Sequence, residues 1–573
     1  MSRNVARALL AVALAAGCLP ATPRSTVRLI DGEPQDSAFV SPGAYHHYIE
    51  GEIALLQGDS SVAAEHFQAA LTYDPESAYI HFRLAEIHGR AGRLKEAHAE
   101  LDGALRLRPG FADALVLRGK LYWLVGDAPR AGAALELCIA ANPDQPAAYL
   151  VQAGVLEQTS RVAEARRVLE QLTKRVARDA DGHAALAFLC LRQVDYGCAA
   201  RHLGAVLQSR ADLETLVRLA HVHRSEGHLQ EAIKLLREAF DRSGGQLAVA
   251  STLAEVLLQA GETQAIDDLL SILESATDEG PERLVQLVEL CVEAERPARG
   301  LALADGQAKQ EDSAALQIAR AEALAKLGRG QEAKQALRRL LEGPQGHAAA
   351  VRLARLLQRE GALSEASDVL RQALTRHGHH DGVALALSLA LSRQGKADPS
   401  VQVVRDALLG RPESRELRFG LGAALERVGR WREAIAVMRQ ILAKNPKDAS
   451  AHNFIGYTQV EHGVELKEAE RSIRQALYHT PGEGYIMDSL GWLYFRQGRL
   501  TEAQRVLRVA CRLAPREAEV LGHLAEVTAA LKDLGGALQL LRRALPLSDD
   551  PKLTARLRQR LNELEKARVG TRW

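Results

Sequence analysis

The chain has 573 residues, of which 47% are apolar, 25% charged and 4% aromatic, a composition of soluble globular type with length for three or four ordinary domains. Lys plus Arg number 73 and Asp plus Glu 72, so the net charge is +1 and no basic field argues for nucleic acid. Few aromatics and abundant Ala, Leu and Arg favour helices with thin cores over a sheet.

The first elements are processing signals. Arg3 and Arg7 precede the apolar run Ala8 to Ala16, which at nine residues is too short to cross a bilayer and reads as a secretory core. It ends in AAGC at Cys18, and this ending resembles a bacterial lipobox, with Ala15 where Leu is usual. The resemblance implies a signal peptide over residues 1–17 and lipidation of Cys18. Leu19 after the Cys implies an outer-membrane destination. The alternative is ordinary cleavage after Ala15, using the small pair Ala13 and Ala15, which leaves a soluble periplasmic protein. Residues 18–43 hold Pro20, Pro23, Pro34 and Pro42 and are expected to form an extended tether.

A period follows. Pro75, Pro109 and Pro143 are 34 residues apart, and Pro412, Pro446, Pro481 and Pro515 are spaced by 34, 35 and 34. Ahead of each of the first three stand small residues at fixed distances: Ala70, Ala104 and Cys138; Ala63, Ala97 and Ala131; Gly58, Gly92 and Gly126; Gly51, Ala85 and Gly119. Gly491, Gly498 and Ala503 repeat the pattern ahead of Pro515. The one spacing of 35 comes from an extra residue between Gly463 and Ala469. Small side chains at Gly491 and Ala503 let two antiparallel helices approach, Gly498 ends the first helix, and the prolines end the second.

The period and these positions resemble the tetratricopeptide repeat, a helix–turn–helix unit of 34 residues. The resemblance implies an all-α fold: a right-handed superhelical solenoid of about fifteen units plus a C-terminal capping helix. We expect an N-terminal array over 44–279 and a C-terminal array over 280–545, joined imperfectly near Gly280 and Pro281, then a capping helix and tail over 546–573. In the tail, Leu553, Leu557, Leu561 and Leu564 form a helical stripe suited to covering the last repeat. Lys552, Arg556, Arg558 and Arg560 make that helix basic, either as a solvated face or for an anionic partner.

Nothing in the sequence carries a catalytic constellation, and we expect no enzyme activity, no cofactor and no small-molecule substrate. Asp488-Ser489 lacks the glycine spacing of a nucleophile elbow and falls inside a helix. The cluster HGHHDG (377–382) and His46-His47 lack ligand spacing along a helical face, so no metal site is expected. Cys138 replaces a buried repeat Ala and reads as a packed thiol. Cys190 and Cys198 flank one turn and either pair in an oxidising compartment or pack as thiols.

The expected activity is binding. A stacked array of helix pairs has a concave face, and in this family the first helix of each pair lines it. That places Asn453, Tyr457, Tyr485, Asp488, Trp492, Phe495 and Arg496 in a C-terminal groove, and Tyr45, Tyr48, Tyr79, Phe82 and Trp123 in an N-terminal one. Seven aromatics fall between Phe454 and Phe495 and seven between Phe39 and Phe82, but none between Phe240 and Phe419. Aromatics anchor interfaces because they offer large area at little entropic cost; the competing explanation is that regular repeats keep packing aromatics. The Lys and Asn clamp that some relatives use for acidic C-termini is absent. The NFIGY and DSLGWLYFRQGR stretches look like the C-terminal repeats of bacterial envelope members of the family. The reading is an outer-membrane-anchored periplasmic scaffold that binds peptide or helical segments of envelope proteins, to assemble a pilus, secretion or motility apparatus. A polysaccharide-export adaptor is the alternative.

Overall fold

In the computed structural model, residues 26–30, 33–37, 41–275, 280–307, 313–378, 380–548 and 550–570 are described. Among them, thirty helices from Pro42–Leu56 to Leu534–Ala544 form fifteen consecutive antiparallel pairs, followed by the helix Pro551–Gly570. The all-α repeat architecture and the number of units are those the period predicts. Cys18 and the expected signal peptide lie outside the described residues. No described helix is long and apolar enough to cross a membrane.

Ahead of the first pair, in the stretch expected to be an extended tether, Thr26–Ile30 and Glu33–Ser37 pair as antiparallel strands, with Thr26 opposite Ser37 and Ile30 opposite Glu33. The sequence explains this departure. TVRLI is rich in strand formers, which favours pairing over a free extended chain. Pro34 is tolerated because both strands are edges.

One contact recurs inside the pairs. A Cβ placed on Gly51 would lie 2.8 Å from the Phe67 ring, on Gly119 2.7 Å from Leu135, on Gly422 2.4 Å from Met438 and on Gly491 2.5 Å from Leu507. Each glycine meets the large residue sixteen positions later, so a missing side chain on the first helix receives a full one from the second. Gly456 meets Ile473, seventeen positions later, at 2.6 Å. The extra residue is absorbed by the turn before Leu466–His479, where Glu465 takes a left-handed conformation with φ 49°. The second helices Ser60–Tyr73, Leu94–Leu107, Trp431–Lys444, Leu466–His479 and Leu500–Leu513 each stop two residues before a proline.

The chain forms two compact units, residues 1–186 and 187–573. This boundary differs from the joint expected near Gly280. The physical reason lies within the second unit, which coils back on itself. The helix Leu213–Glu226 touches Leu500–Leu513, eight pairs further on. There Arg512 Nε donates to the Ser225 carbonyl at 2.5 Å, Arg224 donates to the Leu513 carbonyl at 3.5 Å, and Arg516 pairs with Glu295. These contacts bind the pairs on both sides of Gly280 into one body.

The last pair is covered as the stripe predicts. Leu557 and Leu564 are buried, and Leu553 and Leu561 pack beside them against Leu521, Leu538 and Leu541. Arg556 and Arg560 pair with Glu519 and Glu526 of the helix Ala518–Ala530, so part of the basic face is used inside the protein. Cys190 and Cys198 form a disulfide across the turn between Ala180–Arg192 and Tyr196–Ser209, with Cα atoms 5.8 Å apart. Cys138 is a buried free thiol.

Replacing Gly491 by Leu is expected to cost about 1–3 kcal/mol, because the new side chain must displace Leu507 in a filled contact. Thermal unfolding measures it, and an unchanged midpoint would show that the helix–helix contact is not tight.

Candidate functional site: an aromatic and acidic groove

Three successive first helices, Ala449–Glu461, Gly484–Arg496 and Ala518–Ala530, build the C-terminal patch. Their shared spacing puts Tyr457 and Trp492 at the same position of consecutive units, thirty-five residues apart. Trp492 stacks on Phe495 with ring centroids 4.8 Å apart and on His523 at 4.1 Å. Its Nε1–H donates to Glu461 Oε1 at 2.5 Å. Tyr457 donates its hydroxyl to Glu519 at 3.0 Å, and its ring lies 6.3 Å from that of His523. Arg496 donates to the Glu461 carbonyl at 3.2 Å. Tyr485 is 55% exposed and donates to Glu517 at 2.8 Å.

The expected set therefore gathers in one place, with two corrections. Asp488 is only 6% exposed, and its carboxylate does not line the open groove. It accepts from His523 Nδ1 at 2.9 and 3.0 Å, forming a buried pair beneath Trp492. A carboxylate on a close-packed helix face needs such a partner. Asn453 is half-buried, and its Oδ1 makes no hydrogen bond. His523, Glu461 and Glu519 were not singled out from the sequence. The available signal was that His523 falls one position past Gly522, the thirty-four-residue equivalent of Asp488, on the next first helix.

The groove is acidic as well as aromatic. Loss of water, then the like charges of Glu461 and Glu519, push the Glu426 carboxyl above its usual range against Arg427 and His462. For His523, burial pulls the pKa down, but the Asp488 charge and hydrogen bond outweigh it, and the net shift is upward. The imidazolium then presents a cation to the face of Trp492.

The second unit also holds a mainly apolar cleft of about 800 Å³ where the coil closes. Phe188, Leu191, Leu213 and Val217 form one wall, and the turn from His479 to Glu483 forms the other. The two walls are more than 250 positions apart in the chain, so no local pattern announces the cleft.

In the first unit, the N-terminal set forms a ladder of rings. Tyr48 lies 5.9 Å from Phe67 and 5.9 Å from Tyr79; Tyr79 lies 6.1 Å from Phe82 and 6.4 Å from Phe111. Tyr45 and Tyr79 are exposed, whereas Phe82 is buried in the core with Phe111, a correction to its expected place on the open face. The size of the Phe82 ring, with no polar handle, favours the core. Trp123 is half-buried and donates to Gln158.

The described histidines of HGHHDG make local contacts. His377 Nε2 bonds the Leu341 carbonyl at 2.9 Å, and His380 stacks on His347 at 4.1 Å. His379 lies outside the described residues.

Replacing Asp488 by Ala is expected to destabilise the protein by about 3–5 kcal/mol, because it strands a buried imidazole. The pH dependence has a definite sign. A His whose pKa is raised by folding adds stability that is complete below about 6.5, its ordinary value, and is lost as pH rises through the folded pKa. The stability gap between the wild type and Asp488→Asn should therefore narrow on going from pH 6 to pH 9. Chemical denaturation at the two pH values measures it, and a widening gap would contradict the pair.

Family models of the tetratricopeptide repeat match residues 54–121, 116–182, 213–244, 385–449, 424–483 and 489–551, together more than half of the chain. The chain is 39% identical over 83 residues to TPR repeat-containing protein PA4667 of Pseudomonas aeruginosa, 14% of either chain. It is 27% identical over 206 residues to mouse Tetratricopeptide repeat protein 21B, covering 35% of this chain and 14% of that one. It is 32% identical over 98 residues to Cellulose synthase operon protein C of Pseudomonas fluorescens, covering 16% and 8%. The chain thus spans about one-seventh or less of the length of these relatives. Among solved structures, yeast Tom70 aligns over 92% of this chain and 96% of its own at 13% identity and TM-score 0.34. Naa15/Naa10 bound to HypK-THB aligns over 92% and 97% at 14% identity and TM-score 0.32. The repeat period, the fifteen helix pairs and the family models agree: the chain belongs to the tetratricopeptide repeat family.

Proposed function

We propose that the protein is a non-catalytic scaffold of the cell envelope that holds segments of other envelope proteins in its C-terminal groove. Repeats of this family are protein-interaction modules, and that coarser role is the firm part of the reading. The observation that carries the finer part is the patch of Tyr457, Tyr485, Trp492 and Phe495 on consecutive first helices, edged by Glu426, Glu461 and Glu519. Aromatic faces beside carboxylates suit a segment that alternates apolar and basic side chains. The lipobox-like AAGC at Cys18 supports an outer-membrane anchor facing the periplasm, and the Cys190–Cys198 disulfide supports an oxidising compartment. The work of such a protein is to assemble an envelope machine of the pilus, secretion or motility type.

A second reading, an adaptor in polysaccharide export, draws on the matched segment of a relative named Cellulose synthase operon protein C. Aromatic groove residues also stack on sugar rings. Calorimetric titration with cello-oligosaccharides separates the two, since heat of binding lost with Trp492→Ala favours the second reading.

Partner recovery from detergent-solubilised envelopes tests the first. Trp492→Ala combined with Tyr485→Ala should lose about 2 kcal/mol or more of binding, roughly thirtyfold in recovery. Gln475→Ala, exposed on a second helix, should leave it unchanged. Equal recovery by all three proteins would remove the groove from the account.

A further inference from the structure

We infer that the turn between the helices Leu213–Glu226 and Leu229–Arg242 is a divalent transition-metal site, formed by His223, Glu226 and His228. One ring nitrogen of each histidine and a carboxylate oxygen of Glu226 all lie within 4.8 Å of one another. The backbone fixes this approach. Gly227 adopts a left-handed conformation, with φ 90°, and the His228 N–H donates to the His223 carbonyl at 2.9 Å. That bond folds residue 228 back onto the last helical turn, so side chains five positions apart meet.

Repeat packing does not require these residues. At the position after the turn glycine, other units place Asp59 or Asp127, which caps the next helix, or Arg329, Arg430 or Arg499, which pairs with the Glu three residues on. His228 occupies the same capping position, yet its side chain makes no capping bond. Its Nδ1 instead lies 3.6 Å from Glu226. His223 Nδ1 is buried and has no hydrogen-bond partner, a cost that a ligand bond would remove. Burial lowers the His223 pKa, helped by His228 and opposed by Glu226 and Glu231, which favours the neutral imidazole that binds metal. The nearby cation, Arg512, is engaged by the Ser225 carbonyl.

Two imidazoles and one carboxylate are the ligand set of zinc sites that keep an open position. Ligand atoms around zinc sit about 2.0–2.2 Å from the ion, so a modest rotation of the exposed His228 ring closes the site. A bound ion would tie the end of one helix to the start of the next, at the turn whose Arg224 and Ser225 join the two ends of the coil.

Calorimetric titration of the chelator-stripped full chain with Zn2+ at pH 7.5, repeated with Co2+ and read by visible absorption, tests the site. The wild type should take up one more equivalent than His223→Gln/His228→Gln, and the visible bands of the Co2+ form should weaken in the variant. Glu226→Gln should bind that equivalent at least tenfold more weakly. If the double variant fails to fold by circular dichroism, His228→Gln alone, at an exposed ring, carries the comparison. Equal stoichiometry and affinity in wild type and variants would overturn the assignment.

Discussion

The architecture depends on one contact: a residue without a side chain on the first helix of a pair, faced by a large residue sixteen positions later on the second. At Gly51, Gly119, Gly422 and Gly491 the space of a single Cβ is already filled by the facing Phe67 ring, by Leu135 or Leu507, or by the Met438 thioether. Close approach there leaves little room for any other angle between the helices. Fifteen helix pairs stack in sequence, and the apolar residues around these contacts supply their burial.

Function follows from what that stacking exposes. The second helices and turns spend their charges on local pairs such as Arg499 with Glu502 and Arg430 with Glu433. The first helices of the C-terminal units carry larger and more mixed side chains than packing alone requires. Trp492 stacks on His523 of the buried Asp488–His523 pair and on Phe495, and its Nε1–H is held by Glu461, which together fix the ring in position. A rigid aromatic supported from below loses little entropy on binding, and this makes it a good anchor.

Much of this was legible in the sequence, because a repeat writes its packing at fixed intervals. The prolines, the Gly and Ala ladder and the stripe of Leu553, Leu557, Leu561 and Leu564 gave the helices, their number and the cap. The extra residue near Gly463 reappears as the left-handed Glu465. Features formed by residues far apart were not legible. The boundary at Leu186 and the cleft beside Phe188 exist because the coil brings Ser225 to Arg512, 287 positions away. The helical position of Asp488 points to the open face. Only the neighbouring unit, which brings His523, shows that the carboxylate is already engaged. Ahead of the array the prolines point to an extended tether, whereas the strand formers of TVRLI pair with residues 33–37.

The central claim is that the first-helix face of the array, and not its outer face, holds partner proteins. In-cell photocrosslinking tests it most directly, with a photoreactive residue placed at Tyr485 on a first helix or at Gln475 on a second helix. The account predicts discrete protein adducts from position 485 and none from 475. Adducts from 475 alone, or equal adducts from both, would contradict it.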